Sequence, residues 1–200
     1  MTPRQETDLD GEDPTTDERP YRVTVVCWGN ICRSPMAEFL LREAFEDAEL
    51  GDRVVVDSAG TSAEELGSGM HPRTRAVLRR NGHRDAGWSD HVARQFERSW
   101  FDDLDLVLPV DREHLVRLER LARNDRERAR IRLLRSFDPD AVATGQLGID
   151  DPWYGTDPAY DRTYAEITAA LPGIVGHVRA ELDARHGRHG TVATNERDGD

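Results

Sequence analysis

Arg22-Val-Thr-Val-Val-Cys27-Trp-Gly-Asn-Ile-Cys-Arg33-Ser34-Pro35-Met36 is the stretch from which both fold and chemistry can be read. The β-branched run Val23, Thr24, Val25, Val26 predicts a buried strand ending at Val26. Ser34 predicts a helix N-cap, with Pro35 at the first helical position, where its missing N–H costs nothing. Between strand and helix lies a turn holding Gly29 and Asn30, the two residue types that most readily take positive φ and so let a loop curl its N–H groups inward. The helix dipole adds positive potential at the same point, and a phosphate-sized anion is the natural occupant. Cys27 faces that helix N-terminus beside Arg33, a setting that favours thiolate over thiol and makes a nucleophile. The plainer alternative is a buried structural cysteine in an ordinary strand-to-helix turn.

Outward from this segment, strands alternate with helices. A helix is predicted from Pro35 to about Leu50, with Met36, Phe39, Leu40 and Ala44 on one face and Gly51 past its end. Arg53 to Asp57 reads as a second strand ending at Ser58, and a helix from about Pro72 to Arg80 stops at Asn81-Gly82. Ser89 or Asp90 can cap a short helix holding His91, Arg94 and Gln95. Leu104 to Val110 is a third strand, Asp111 caps a helix to about Arg123, and Ile131 to Leu134 is a short fourth strand. A long loop from Ser136 to Asp157 precedes a last helix from Pro158 to about Leu182, striped by Ile167, Leu171, Ile174, Val175 and Val178, in which Pro172 and Gly173 favour a bend. The expectation is an α/β domain of three layers, a four-stranded parallel sheet doubly wound with helices on both faces. Ligands bind such sheets outside the carboxyl ends of the strands, which places Cys27, Ser58 and the long loop at one edge.

That loop carries Asp150-Asp151-Pro152-Trp153-Tyr154-Gly155. A thiolate that displaces phenolate from phosphorus needs a nearby acid to protonate the leaving oxygen, and the same carboxylate can then take a proton from water. Asp151 is the choice for that role, with Asp150 its nearest competitor. Trp153 and Tyr154 make an apolar wall for a phenyl ring. Asp-Pro is also an ordinary turn starter, and aromatics also pin loops to cores.

The Cys27 to Pro35 segment resembles the signature of the low-molecular-weight protein tyrosine phosphatase family. The likeness extends over most of residues 20 to 184 through Asp57-Ser58-Ala59-Gly60-Thr61, His91-Val92-Ala93-Arg94-Gln95, Leu106-Val107-Leu108 with Asp111-Arg112, and Asp151-Pro152-Trp153-Tyr154. What the resemblance implies is a metal-free, cofactor-free enzyme that hydrolyses phosphotyrosine proteins or peptides through a phosphocysteine intermediate. Cys27 is then the nucleophile, Arg33 the phosphate clamp and Asp151 the acid. Trp28, Gly29, Asn30, Ile31, Cys32, Arg33 and Ser34 form the phosphate-binding loop, and Ser58 and His91 support it. Cys32, five residues from the nucleophile, can act as its redox partner. Departures are present too: Glu64 stands near where many members place a pocket-rim aromatic, a role Trp28 can take over, and His71 stands where an acidic residue is common. Rival readings are a phosphoarginine phosphatase of the same fold, a thiol-dependent arsenate reductase, and a non-catalytic phosphate-binding module. The arginine-specific branch carries threonine at the position of Ile31, and arsenate reductases need further redox cysteines beyond Cys27 and Cys32.

Composition bounds the rest. With 200 residues the chain suits one domain, here 20–184, between an acidic extension over 1–19 and a loose tail over 185–200. The extension holds Glu6, Asp8, Asp10, Glu12, Asp13, Asp17 and Glu18 against Arg4 and Arg19; His186 and His189 in the tail read as solvated rather than as metal ligands. Two cysteines point to a reducing, cytoplasmic setting, and a net charge of −12 argues against nucleic-acid or membrane binding. The arginines from Arg117 to Arg135 interleave with Glu119, Asp125 and Glu127 as on a solvated helix surface. Lysine is absent, which removes Gly-Lys-Ser/Thr nucleotide loops and Schiff-base chemistry. A monomer is expected.

Overall fold

The computed structural model describes residues 19–85 and 87–190. Three strands pair in parallel in the order β2-β1-β3, with β1 Tyr21–Cys27 between β2 Val54–Gly60 and β3 Leu106–Pro109. The register sets Tyr21 against Val54 and Cys27 against Gly60 on one side, and Val23 against Leu106 on the other. Both faces of β1 are covered, as a parallel strand flanked by crossovers requires. Val23, Val25 and Cys27 belong to one apolar cluster, together with Met36 and Leu40 of α1 (Arg33–Asp47), Val77 of α2 (Pro72–Arg80), and Ile167, Ile174 and Val178 of α6 (Asp157–Gly190). Val26 joins a second cluster with Val107, Phe101 and Leu118, the last from α3 (Arg112–Leu121). Two short helices, α4 (Asp125–Arg128) and α5 (Pro139–Thr144), lie in the return connection.

The expected fourth strand is not present as one. Ile131 makes a single parallel bridge to Val107, carried by Val107 N–H to Arg130 O at 2.9 Å and Arg132 N–H to Val107 O at 3.0 Å. From Leu134 to Phe137 the chain then closes into a 3₁₀ turn. The sheet therefore has three strands, because Leu134 and Phe137 turn inward to the core instead of continuing along β3.

Other boundaries moved for local reasons. Helix α1 starts at Arg33 with Cys32 as cap residue and no side-chain cap; Ser34 sits in the first turn, its hydroxyl turned toward Cys27. The helix ends at Asp47, two residues before Glu49 takes φ +59°, rather than at about Leu50. The segment holding His91, Arg94 and Gln95 is not helical: a 3₁₀ turn Trp88–Asp90 precedes it, and its backbone bonds to Gly60. Asp111 does cap α3, accepting from His114 N–H at 2.9 Å. Helix α6 runs through Pro172 to Gly190, so 185–190 are helical turns and not a loose tail; 191–200 lie outside the described residues. Of the acidic extension only Arg19 is described, and it is fastened to Asp105 by two bonds of 2.8 Å.

Candidate active site

Cys27 ends the central strand, and two glycines let the loop after it fold tightly. A Cβ on Gly60 would lie 2.5 Å from Trp28 O, so only glycine allows β2 to end directly beneath the loop. Thr61 N–H to Cys27 O at 2.8 Å and Ser62 N–H to Trp28 O at 3.0 Å then tie the two segments together. Gly29 has no positive φ; a Cβ there would meet the Glu65 side chain at 2.9 Å, which is its reason to be small. Asn30 does take the left-handed conformation, at φ +58°.

Asn30 is wholly buried and uses all its polar groups. Its N–H points at Cys27 Sγ at 3.3 Å, and its amide donates to Ser34 Oγ at 3.0 Å and Ser58 Oγ at 2.7 Å. Its Oδ1 accepts from Arg94 N–H at 3.0 Å, and its backbone carbonyl lies 2.7 Å from His91 Nε2. The Ser58 hydroxyl in turn donates to the buried Glu38, which also pairs with Arg42. Ser58 and His91 thus both contact Asn30. Ser34 Oγ lies 3.0 Å from Cys27 Sγ and 3.2 Å from Ala59 O. It has one proton for two acceptors, and a thiolate would claim it. The N–H groups of Arg33 and Ser34, at the first two positions of α1, have no acceptor within the helix.

The Arg33 side chain is 5% exposed and points across the mouth of the loop. Nη1 donates to Asp111 Oδ2 at 2.9 Å and to Ile149 O at 3.0 Å, while Nη2 donates to Asp151 Oδ2 at 2.7 Å. Asp111 and Asp151 thus both bond the Arg33 guanidinium, while Asp150 makes no bond to it among the described residues. The other Asp151 oxygen accepts Trp153 N–H at 3.1 Å, an Asx turn that Asp-Pro sets up. Burial pushes the Asp111 carboxyl up, but hydrogen bonds from His114 and the charges of His114 and Arg33 outweigh it and hold it down at about 2.

Cys27, Trp28, Ile31, Arg33, Asp151 and Trp153 line one cavity of about 150 Å³, with Glu64, Glu65 and the exposed Tyr154 at its rim. Trp28 is fixed from two sides, by Nε1–H to Glu64 Oε2 at 3.0 Å and by the Arg117 guanidinium 4.4 Å above its ring. Glu64 thus braces the aromatic instead of replacing it. Cys32 lies behind the loop, its thiol 3.6 Å from Tyr160 OH, and burial pushes it up to about 12. Tyr160 OH is also 3.0 Å from His71 Nδ1, whose ring stacks on Tyr160 and meets Trp153 edge-on at 5.2 Å. The contacts of Asp111, Glu38 and Tyr160 were not legible in sequence; Asp111 was marked there only as a helix cap and as part of a segment resembling the family.

A buried thiol in a strand-to-helix loop, with a guanidinium and a carboxylate converging beside it at the carboxyl edge of a parallel sheet, is the layout of a cysteine-based phosphatase. The family model described as low molecular weight phosphotyrosine protein phosphatase matches residues 22–185. The low molecular weight protein-tyrosine-phosphatase of Streptomyces coelicolor is 48% identical over 165 residues, 82% of this chain and 98% of that one. The low molecular weight protein-tyrosine phosphatase A of Mycobacterium tuberculosis is 41% identical over 168 residues, 84% and 97%. Among solved structures, YfkJ from Bacillus subtilis superposes with a TM-score of 0.72 at 28% identity, covering 82% of this chain and 98% of that one. The chain belongs to the low molecular weight phosphotyrosine protein phosphatase family.

Proposed function

We propose that the chain hydrolyses phosphotyrosine in proteins or peptides through a phosphocysteine formed on Cys27, without a metal or cofactor. The observation that carries this reading is the convergence of Cys27 Sγ, the Asn30 N–H, the Ser34 hydroxyl and an Arg33 guanidinium bonded to Asp151. Cys27 attacks phosphorus in line with the phenolic oxygen, and the loop N–H groups and Arg33 bind the equatorial oxygens. Reaching those oxygens takes Arg33 Nη2 from Asp151, whose carboxyl is then free to hold a proton. As the P–O bond breaks, Asp151 gives that proton to the tyrosyl oxygen. Water then attacks phosphorus, the P–S bond breaks, the thiolate leaves, and Asp151 takes the proton from water. Ser34 and Asn30 stabilise the thiolate as it leaves. The Trp28, Ile31 and Trp153 side chains present apolar surface to a phenyl ring and little to a hydrated guanidinium, which favours phosphotyrosine over phosphoarginine.

The test is turnover of p-nitrophenyl phosphate and of a phosphotyrosine peptide in EDTA, without thioredoxin. Cys27→Ser is expected to abolish turnover while keeping phosphate affinity. Asp151→Asn is expected to cost on the order of 10²- to 10⁴-fold with phenyl phosphate and less with better leaving groups. A larger defect in Asp150→Asn would move the acid to that residue.

A further inference from the structure

Glu38 is a carboxylate for which the phosphocysteine chemistry has no use, yet it is 5% exposed on α1 and does not line the active-site cavity. Taking such a group out of water is costly unless its charge is matched and both its oxygens are bonded. Arg42, one turn further along α1, pairs with Oε1. That guanidinium is anchored independently of Glu38, by Nε and Nη2 bonds to Val56 O at 3.1 and 2.9 Å. The other oxygen, Oε2, accepts the Ser58 hydroxyl at 2.5 Å. Two donors thus converge on one side chain, one on each oxygen, and a carboxylate offers acceptors only.

Ser58 has a single proton, and Glu38 takes it. The Ser58 oxygen is left to accept from Asn30, which sets the buried amide with Nδ2 toward Ser58 and Ser34 and Oδ1 toward the Arg94 N–H. Both Nδ2 protons are then in use, one on each serine. Ser34 Oγ, accepting from Asn30, keeps its own proton for Cys27 Sγ at 3.0 Å or Ala59 O at 3.2 Å, and an anionic sulfur draws it more strongly than a carbonyl. The direction of each proton in this chain is fixed by the one before it, and the first is fixed by the carboxylate.

We propose that Glu38 is a positioning residue that sets the proton directions of Ser58, Asn30 and Ser34, and through them turns a hydroxyl proton onto the Cys27 thiolate. The inference rests on the nucleophilic role of Cys27. An amide in place of the carboxylate has one acceptor oxygen for two donors. Arg42, charged and held by Val56, would claim that oxygen and leave an NH₂ group facing Ser58. The Ser58 proton would then be sent toward Asn30, against the Nδ2–H already there. Turning the Asn30 amide over relieves that clash but brings Oδ1 to Ser34, whose proton then leaves Cys27. Charge alone predicts the opposite sign: removing the Glu38 charge while Arg42 remains favours an anion nearby, whereas losing the hydroxyl bond disfavours it.

The experiment is alkylation of the full chain by iodoacetamide across pH, with the Cys27 adduct identified by mass, in wild type, Glu38→Gln, Ser58→Ala and the double variant. The pH midpoint for Cys27 is expected to move up by about one unit in Glu38→Gln, the equivalent of one charge-assisted hydrogen bond to the thiolate. Ser58→Ala is expected to move it in the same direction. That variant leaves the Glu38–Arg42 pair intact, so it tests the chain even where Glu38→Gln is too unstable to assay. With Ser58 already replaced, Glu38→Gln is expected to add less than about 0.3 unit, because its route to the thiol is cut. A midpoint that stays or moves down in either single variant overturns the proposal. So does the full shift persisting in the Ser58→Ala background, which would show that Glu38 acts by packing or charge and not through the serine. Alkylation needs no substrate, so these shifts in an enzyme that failed to turn over phosphotyrosine would refute the proposed substrate and leave the role of Glu38 in place.

Discussion

Asp111 meets three demands at once: it caps α3, receives His114, and holds Arg33 across the loop mouth. A side chain legible in sequence chiefly as a helix cap thus fixes the position of Arg33. Ile31 shows the same doubling, because it lines the active-site cavity yet is 7% exposed and belongs to the main core. Ile31→Thr is expected to narrow the preference in kcat/KM for phosphotyrosine over phosphoarginine, and its buried hydroxyl should cost about 1 to 2 kcal/mol in urea unfolding. Wild-type enzyme equally active on both substrates would remove the specificity reading and leave the phosphocysteine chemistry standing. Cys32 carries a further prediction. Peroxide oxidises the Cys27 thiolate to a sulfenic acid, releasing hydroxide, and Cys32 can displace that oxygen as water to close a disulfide. Since burial raises the Cys32 thiol to about 12, closure should be slow at neutral pH and accelerate as pH rises. Dithiothreitol is expected to restore peroxide-treated wild type, and Cys32→Ser should recover poorly; equal recovery would show that Cys32 gives no protection.

Among the elements, α2 is anchored by a histidine cap. His71 Nδ1 accepts the Arg73 N–H at 3.2 Å as the helix cap and lies 3.0 Å from Tyr160 OH, so the neutral ring is the one that fits. Burial, then Arg73 and Arg75, lower its pKa from 6.5. A histidine whose folded pKa is depressed binds fewer protons folded than unfolded, so its contribution to stability is present above the unfolded pKa and lost as pH falls through the folded one. The thermal midpoint should therefore drop as pH is lowered below the ordinary histidine value of 6.5 and through the depressed folded one. Asparagine caps without titrating, so His71→Asn should flatten that part of the profile, and an unchanged slope would place the effect elsewhere. The helix itself was legible from Pro72 and Asn81-Gly82; the cap's partner was not, because Tyr160 lies 89 residues away.

At the scale of the whole molecule, α6 closes the main core. Its residues Ile167, Ala170, Ile174, Val178 and Leu182 are buried at helical spacing, and its passage over the 3₁₀ turn depends on Gly173. A Cβ there would lie 2.1 Å from Phe137 O. Gly173→Ala should force the two segments apart at a cost on the order of 3 kcal/mol. Alanine's helix preference offsets roughly 1 kcal/mol of it. The net loss of about 2 kcal/mol corresponds to a fall in Tm of roughly 4 to 8 °C for a chain of this size. A Tm that held or rose would show that the contact is soft. The helix runs on through Pro172, since a proline removes one N–H and the surrounding packing outweighs that loss. The same 3₁₀ turn is where the expected fourth strand gives out, so one piece of local geometry limits the sheet and seats the last helix.

The sequence by itself determined the parallel α/β alternation, the central strand, the Cys27 to Arg33 loop and the Asp151 loop at the carboxyl edge. Those are local signals: β-branched runs, helical periodicity, and residue types whose chemistry is short-range. Tertiary structure alone decided that Ile131 gives a bridge and not a strand, that Ser34 serves the thiol instead of capping α1, and that α6 continues beyond residue 184. It alone also placed Asp111 and Asp151 on one guanidinium and made Glu38 the end of the chain of hydrogen bonds from Asn30. The physical reason is common to all of these. A buried group takes the partner that packing leaves nearest, which local residue preferences do not specify and which in most of these cases comes from a distant segment.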